Sequence, residues 1–238
     1  NYMPRFGARV RPEVRLGGTY ESHVPGRHLN ALLNAEDAAG IKVNALCIEN
    51  HARAAFFSYG GPVPLPLHRD GGWYRRQRNQ PPLKLRTHNI REGFHALHAL
   101  AKYRNSDRAQ ELAEVSIATI FEYWDPDGDW DYERLGREHG LKFDLDKTFI
   151  VGLARSIGPL VKYYRATGYG PALELAIVLK EKTINEFFTA EGLYNMDNFG
   201  SHTHSTTCVM SSLAQLADLT SDSVLMGRVK AFYDNGLW

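Results

Sequence analysis

The chain has 238 residues, of which 43% are hydrophobic and 23% charged, and its formal net charge is +1. These values are ordinary for a globular protein with a buried core, and the balanced charge gives no reason to expect nucleic acid or a membrane surface as a partner. No apolar run is long enough to cross a bilayer. Cys47 and Cys208 lie far apart without metal-ligand spacing, so we expect free thiols in a cytoplasmic protein, with a mature secreted fragment as the alternative.

The first part of the chain is predicted to hold an irregular segment and one helical hairpin. Residues 1–27 are rich in Arg, Gly and Pro and are expected to be irregular. Apolar spacing predicts helices over 27–39 and 44–58, and a Gly-Gly-Pro run ends the second. The loop over 60–87 is interpreted as a solvated segment, with binding of an acidic sugar, a nucleic acid or a partner as alternatives, because it carries Arg75, Arg76, Arg78, Lys84 and Arg86.

The rest of the chain is predicted to form three further helical hairpins. Within each hairpin the connection is short, whereas the connections between hairpins are long. The first helix of each pair is rich in small apolar residues and is expected to lie inside, and Pro159 is expected to kink the middle one. The predicted pairs are 90–103 with 107–124, 148–165 with 171–188, and 205–219 with 222–233.

Parts of the chain repeat one pattern. Glu122–Asp131 matches Glu186–Asn195 position by position: an acid, two aromatic residues, a turn with a glycine, an aromatic residue, and Asp or Asn. A shorter copy lies at 232–238. The repetition indicates an array of helical hairpins. The turn glycines are expected at positive φ, which bulky residues disfavour: Gly128, Gly192 and Gly236.

Hairpin repeats with Gly-x-aromatic turns resemble the six-hairpin glycosidase superfamily, which includes glycoside hydrolases, polysaccharide lyases and sugar epimerases. The resemblance covers about residues 28–238 and implies an all-α fold of antiparallel helical hairpins forming an (α/α)6-type toroid or part of one. Because the chain lacks an initial Met and ends inside a repeat at Trp238, we expect this domain to be truncated at both ends. A partial ring could be shared with another subunit, so a homo-oligomer is an option.

The long connections are expected to meet at one end of the array, where the N-termini of the inner helices favour anions. His202 and His204 precede the last inner helix there and suit contacts with sugar hydroxyls or acid–base catalysis; the alternative is a capping loop. Glu92 begins the first inner helix and is predicted as a catalytic base or nucleophile, since a helix N-terminus lowers a carboxyl pKa. Asn89 and Arg91 beside it are predicted to contact the substrate.

Residues of the acidic turn and the later loops complete the predicted site. Asp129 and Asp131 are candidates for a second catalytic carboxylate, and Trp130, Tyr132 and Tyr194 for stacking on sugar rings, with turn formation and loop packing as alternatives. A metal is not expected there, because Trp130 stands where a calcium loop needs glycine. Arg155, in a strongly apolar stretch, is expected to bind a substrate carboxylate or to pair with a buried one.

The sequence therefore supports three hypotheses. The first is a glycoside hydrolase that pairs Glu92 with an Asp of residues 125–131. The second is a uronate lyase or sugar epimerase with a His or Tyr base and arginines that bind the acidic sugar. The third is a non-catalytic helical scaffold that binds a partner. The expected ligand is a carbohydrate, including acidic sugars, and neither a cofactor nor a metal is expected.

Overall fold

The computed structural model describes residues 20–69, 81–146 and 148–237, and within these ranges the fold is mostly helical, which confirms the all-α class. Turns of 3-10 helix at Thr87–Asn89 and Leu153–Ser156 lead into the helices that begin at Ile90 and Ile157. The arginines at 75, 76 and 78 lie outside the described residues. The helices are α1 Tyr20–Ala39, α2 Ala45–Ser58, α3 Ile90–Arg104, α4 Asp107–Tyr123, α5 Tyr132–His139, α6 Ile157–Thr167, α7 Gly170–Glu186, α8 Met196–Phe199, α9 Thr203–Thr220 and α10 Ser223–Gly236.

Short strands fasten the long connections. β1 (Lys84–Leu85) pairs in parallel with β4 (Lys142–Phe143), which joins the connection before α3 to the connection before α6. β2 (Trp124–Asp125) pairs antiparallel with β3 (Asp129–Trp130) and forms a tight turn at the end of α4. These strands hold the loops that surround the beginnings of the helices.

Within the described ranges, consecutive helices pack as four hairpins: α1–α2, α3–α4, α6–α7 and α9–α10. Three of the tight connections contain a residue in the left-handed region, namely Asn105 (φ 47°), Gly168 (φ 73°) and Ser221 (φ 53°). Such a residue ends a helix and lets the chain reverse. Both members of each predicted pair are therefore present.

The first helices of these hairpins form an inner row in the order α1, α3, α6, α9. α1 and α3 run parallel, since Asn89 donates to Ser22 near their beginnings and Tyr103 donates to Asn34 near their ends. α3 is buried along most of its length, because it is covered by α1, α4 and α6. The beginnings of the inner helices consequently lie at one end of the molecule, together with the long connections.

The first helix begins earlier than predicted. α1 starts at Tyr20, so residues 20–27 are helical rather than irregular, although Pro25 lies inside the helix. Gly26 is demanded by packing: a Cβ atom there would overlap the carbonyl group of Glu92 on α3. The Pro-Gly pair looks like a helix breaker in the sequence, but here it allows two helix backbones to touch.

The third inner helix begins later than predicted. The sequence pattern predicted a helix over 148–165 with a kink at Pro159, whereas α6 begins only at Ile157. Pro159 is the third residue of α6, and a proline in the first turn leaves no helix hydrogen bond unmade. Pro159 thus marks the start of a helix, and Arg155 precedes that helix in a 3-10 turn.

The sequence repeat has a structural counterpart. Asp131 and Asn195, the last residues of the matching segments, both cap short helices through their side-chain oxygens. Of the turn glycines, Gly192 has the expected positive φ of 68°. The prediction was wrong for Gly128 and Gly236, since neither is among the described positive-φ residues; in the first turn Asp129 takes that conformation, with φ 64°.

None of the helices in the described ranges combines the length and the apolar character required to cross a bilayer. This result concerns only the part of the chain that the structure describes.

Candidate active site

Glu92, in the first turn of α3, is the centre of a buried ionic cluster. Its side chain is fully buried, and its Oε1 accepts hydrogen bonds from Arg91 Nη1 at 2.7 Å and Arg155 Nη2 at 3.0 Å. Arg27 of α1 donates to the same oxygen through Nε at 3.3 Å. Arg155 is also fully buried and donates through Nη1 to the carbonyl oxygen of His88 at 2.7 Å. Each of these buried charges requires the other, because an unpaired ion is strongly disfavoured in an interior.

This environment determines the protonation of Glu92. Burial opposes its ionisation more than any other single effect, but the electrostatic effects of Arg155, His23, Arg91 and Arg27 together outweigh burial. The pKa of Glu92 is therefore held well below its usual range. An ionised carboxylate has the charge that the predicted base or nucleophile needs, but this one is fully buried against three arginines and does not reach a substrate. The structure thus corrects the predicted catalytic role: Glu92 positions arginines.

Arg155 and Asn89 also differ from their predicted substrate contacts. Arg155 satisfies the buried carboxylate, which is the second of its two predicted roles, and it has no free face for a ligand. Asn89 is fully buried, and its amide Nδ2 donates to Ser22 Oγ at 2.7 Å. Both side chains join neighbouring inner helices, so we assign them to positioning.

A row of histidines links the cluster to the start of α9. The rings of His23 and His88 stack with centroids 5.3 Å apart, and His88 meets His202 edge-on at 5.6 Å. His88 Nδ1 donates to the Val151 carbonyl oxygen at 2.8 Å, and His23 Nδ1 donates to Asn89 Oδ1 at 3.0 Å. Since these oxygens only accept, both neutral rings carry their proton on Nδ1.

The buried histidines are neutral near pH 7. Burial is the largest cause that lowers the pKa of His23 to about 4 and that of His88 to about 3. The charge of Arg155 lowers both values further, while Glu92 raises them. These rings therefore add polar surface to the cluster without adding positive charge.

His202 and His204 lie beside the start of α9, as the sequence predicted, but they have different tasks. His202 Nδ1 accepts the backbone N–H of Ser205 at 3.1 Å and caps the helix, which agrees with the alternative of a capping loop. His204 Nε2 accepts a hydrogen bond from Arg27 Nη2 at 3.1 Å, because a guanidinium only donates. Partial burial and then the charge of Arg27 lower the pKa of His204, so it is a neutral base near pH 7.

A cavity of about 300 Å³ lies among the inner helices, and we call it the central cavity. Arg91 and Lys162 supply its charged groups, and His95 and His204 also line it. No carboxylate from the described ranges does so. The other polar walls are hydroxyl, amide and thiol side chains, from Asn30, Thr207, Cys208, Ser211, Ser212 and Gln215.

Only one of the two cations of the central cavity has a counter-ion among the described residues, since Arg91 pairs with Glu92. Lys162 forms no ion pair with any of the described residues, and burial, followed by Arg91 and Lys102, lowers its pKa. His95 is buried, and its Nδ1 has no hydrogen-bond partner in the described part of the chain. An anion that entered between Lys162 and Arg91 would relieve their mutual repulsion.

A larger cavity of about 660 Å³ opens among the long connections, and we call it the side cavity. Its charged walls differ from those of the central cavity, since carboxylates outnumber cations. The two cavities share no lining residue. The side cavity is lined by the aromatic residues Trp130, Tyr132, Phe149 and Phe187 and by the charged residues Asp127, Asp129, Asp146, Glu186 and Lys182.

The structure does not bring the predicted carboxylates together. Glu92 lines neither cavity, whereas Asp129 lines the side cavity. Asp131 is exposed, and its Oδ1 accepts the backbone N–H of Arg134 at 2.9 Å as the cap of α5. The prediction that Glu92 and one of these aspartates face one substrate is therefore corrected.

The predicted stacking residues do not all line one cavity. Trp130 and Tyr132 line the side cavity, whereas His204 lines the central cavity. Tyr194 stacks on Phe199 with ring centroids 5.0 Å apart, and its hydroxyl donates to the carbonyl oxygen of Gly200. Tyr194 thus packs the loop and lines neither cavity, which corrects its predicted role.

Three residues of the central site were not identified from the sequence: Arg27, His95 and Lys162. A signal existed for two of them. His95 follows Arg91 by one helical turn, so both share a face of α3, and Lys162 interrupts the apolar stretch that begins α6. Arg27 carried no such signal, because it stood at the boundary between the segment expected to be irregular and the helix predicted over 27–39.

Comparisons with known proteins do not extend these observations. The chain matches no protein-family model, and neither curated proteins nor solved structures show a significant similarity to it. Among the described residues, no group of three or more His, Cys, Asp or Glu side chains has a metal-binding arrangement. The function is therefore argued from the geometry of the cavities.

Proposed function

We propose that the protein acts on an acidic sugar in the central cavity, by removing the proton on the carbon next to the sugar carboxylate. The observation that carries the proposal is that Lys162, which has no counter-ion among the described residues, lines the central cavity together with Arg91, whose partner Glu92 does not line it. Two cations suit a ligand carboxylate, and their stabilising effect increases as negative charge develops on it. The hydroxyl and amide walls suit the hydroxyl groups of a sugar.

His204 is the proposed base. Its lowered pKa keeps Nε2 unprotonated near pH 7, and it lines the same cavity as the two cations. Arg27 donates to Nε2 through Nη2 and has a side chain that is 41% exposed; its Nε stays paired with Glu92, and the proposed step requires a ligand to displace only the Nη2 contact. Abstraction of a proton by a positioned histidine contributes roughly 10²–10⁴ in rate.

The proposed reaction begins with the transfer of a proton from the sugar to His204. His204 takes the C5 proton of the uronate, and the C–H electron pair moves into the carboxylate as an enolate held by Arg91 and Lys162. In a lyase this pair then forms the C4–C5 double bond, the C4–O bond breaks, and the leaving oxygen takes the proton from the imidazolium. In an epimerase C5 takes a proton from solvent on its other face, and the His204 imidazolium gives its proton back to solvent. The chemistry up to the enolate is common to both.

A glycoside hydrolase is supported less well by this geometry. Such an enzyme typically places two carboxylates roughly 5–10 Å apart across the scissile bond. The central cavity offers none from the described residues, and Glu92 is sealed. A closed or partial (α/α)6-type toroid is part of the proposal, since parallel inner helices around a central cavity are what such a ring would contain.

The test is an activity screen of oligouronates and of matched neutral oligosaccharides. We expect ultraviolet absorbance from a new conjugated double bond, or deuterium incorporation from solvent at C5, with the uronates only. His204→Gln should lower kcat about 100-fold or more, and Lys162→Gln should raise KM at least about tenfold. Lys230→Gln, at an exposed lysine, is the matched control and should change neither parameter.

Two results would overturn the proposal. One is hydrolysis of the neutral oligosaccharides with no turnover of uronates. The other is full activity of the His204→Gln protein on a uronate, provided that circular dichroism shows a native fold. Retained activity in Lys162→Gln with unchanged KM would remove the role of the cation pair.

A further inference from the structure

The side cavity has walls of the opposite chemical character to those of the central cavity. Asp146 has a structural role, because its carboxylate accepts hydrogen bonds from Arg86 Nε at 3.2 Å and from the backbone N–H of His88 at 2.6 Å. The other acidic lining residues are Asp127, Asp129 and Glu186, and Asp127 and Asp129 are exposed. Lys182 is the cation opposite them among the described lining residues. An anion is therefore disfavoured here, and a cation is attracted.

Lys182 shows how this cavity holds an ammonium group. Its Nζ donates to the Pro126 carbonyl oxygen at 2.6 Å and to Glu186 Oε1 at 2.7 Å. The same Nζ lies 5.6 Å from the centre of the Phe149 ring. A carbonyl, a carboxylate and an aromatic face are the groups that bind ammonium ions in proteins. Asp129 beside Trp130 and Tyr132 repeats two of these elements on another wall.

The indole of Trp130 adds a requirement for an acceptor. Trp130 is 5% exposed, lines the cavity, and its Nε1 has no hydrogen-bond partner among the described residues. A buried donor without a partner is unfavourable, so an oxygen that reached Nε1 after a shift of the residues covering it would stabilise this site. Aromatic walls beside carboxylates also suit a ring that carries both hydroxyl groups and apolar C–H faces.

From these observations we infer that the side cavity binds an amino sugar, with its ammonium group near Asp129 and Asp127 and a ring oxygen or hydroxyl toward Trp130 Nε1. The volume of about 660 Å³ falls within the range of small-molecule sites, roughly 300–1,000 Å³. This site is separate from the central cavity and does not depend on the function proposed there, since the cavities have no lining residue in common.

The test is calorimetric titration of the protein with D-glucosamine, D-glucose, N-acetyl-D-glucosamine and D-glucuronate. We expect glucosamine to bind at least about tenfold more tightly than the two neutral sugars, which is the change in affinity that corresponds to a shift of one pKa unit. We expect glucuronate to show no binding at this site. Quenching or a shift of tryptophan fluorescence should accompany glucosamine binding, because Trp130 lines the cavity.

Variants locate the site. Asp129→Asn should weaken glucosamine binding about tenfold and still fold, because the amide oxygen can accept the hydrogen bond that Trp124 Nε1 gives Asp129 Oδ1 at 3.1 Å. Asp127→Asn is a second, exposed substitution with the same expected direction. Asp218→Asn, at an exposed residue of α9, is the matched control and should bind as the unmodified chain does.

Several results would overturn the inference. Glucosamine binding no tighter than glucose binding, or no saturable glucosamine binding at all, would do so. Binding that survives both Asp129→Asn and Asp127→Asn but is lost in Lys162→Gln would place the ligand in the central cavity instead. Failure of the proposed uronate chemistry would leave this inference untouched, because the His204→Gln protein should bind glucosamine normally.

Discussion

The central cavity and the side cavity are built from different parts of the fold. Helix side chains line the central cavity, and the buried carboxylate of Glu92 holds its arginine, Arg91. Loops and short strands line the side cavity, where most of the acids face solvent. The difference teaches that the rigid helices present cations to a ligand, whereas the loops present acids and aromatic rings.

The largest expected effect breaks the central region alone. Glu92→Gln removes the charge that pairs with Arg155, which is fully buried and would remain charged without a partner. We expect the free energy of unfolding to fall by about 3–5 kcal/mol, measured by urea denaturation.

A matched substitution in the side region provides the control. Glu186→Gln removes a carboxylate whose partner, Lys182, keeps the Pro126 carbonyl oxygen as an acceptor, and Glu186 is about half exposed. The expected loss is at most about 1 kcal/mol. Equal losses in the two variants would show that the two regions do not differ in the way described.

The second prediction concerns the pH dependence of stability, which should arise in the central region. His23 and His88 have folded pKa values of about 4 and about 3, below the usual 6.5, chiefly because they are buried. Between pH 6.5 and 4 the unfolded chain therefore binds more protons than the folded protein, and stability falls as the pH falls. The expected slope is about 1 kcal/mol per pH unit for each histidine.

Urea denaturation at a series of pH values measures this slope. Glu92 contributes in a lower range, because its depressed pKa keeps its stabilising charge until the pH is far more acidic. His23→Gln should make the slope between pH 6.5 and 4 less steep. A stability that does not change over this interval would contradict the buried, neutral state of these rings.

The smallest expected effect lies at the edge of the side cavity. Asp131→Ala removes the cap of α5, whose first residue, Tyr132, lines that cavity. Loss of an N-cap lowers the free energy of unfolding by about 1 kcal/mol. Turnover in the central cavity should be unchanged, as measured with the uronate substrate. A loss of turnover as large as that of His204→Gln would restore the catalytic role that the sequence suggested for Asp131.

Much of the fold was predictable because local chemistry and packing agree. Helix bounds at 90–103 and 107–124 were within one residue, since the Asn105–Ser106 connection supplies both a left-handed residue and an N-cap. The start of α1 was missed because Pro25 and Gly26 act through a neighbouring helix, which no local pattern reveals.

The candidate site was predictable only in part. His204 and Arg91 were predicted as site residues because they lie at the beginnings of helices, and both line the central cavity. The pairing of Glu92 with an aspartate failed, because hairpin order alone does not say which loop covers which helix. Whether a carboxylate meets a substrate or an arginine depends on depth, and depth is a tertiary property.

Gly26 has a consequence for the arginines that it does not touch. With no side chain there, the backbone of α1 rests directly on the residue of α3 that bears the buried carboxylate. Any larger residue would push the two helices apart and move His23, one turn before Gly26, and Arg27, the residue after it, away from Glu92 together. The absence of a side chain at Gly26 thereby keeps His23 and Arg27 close to Glu92.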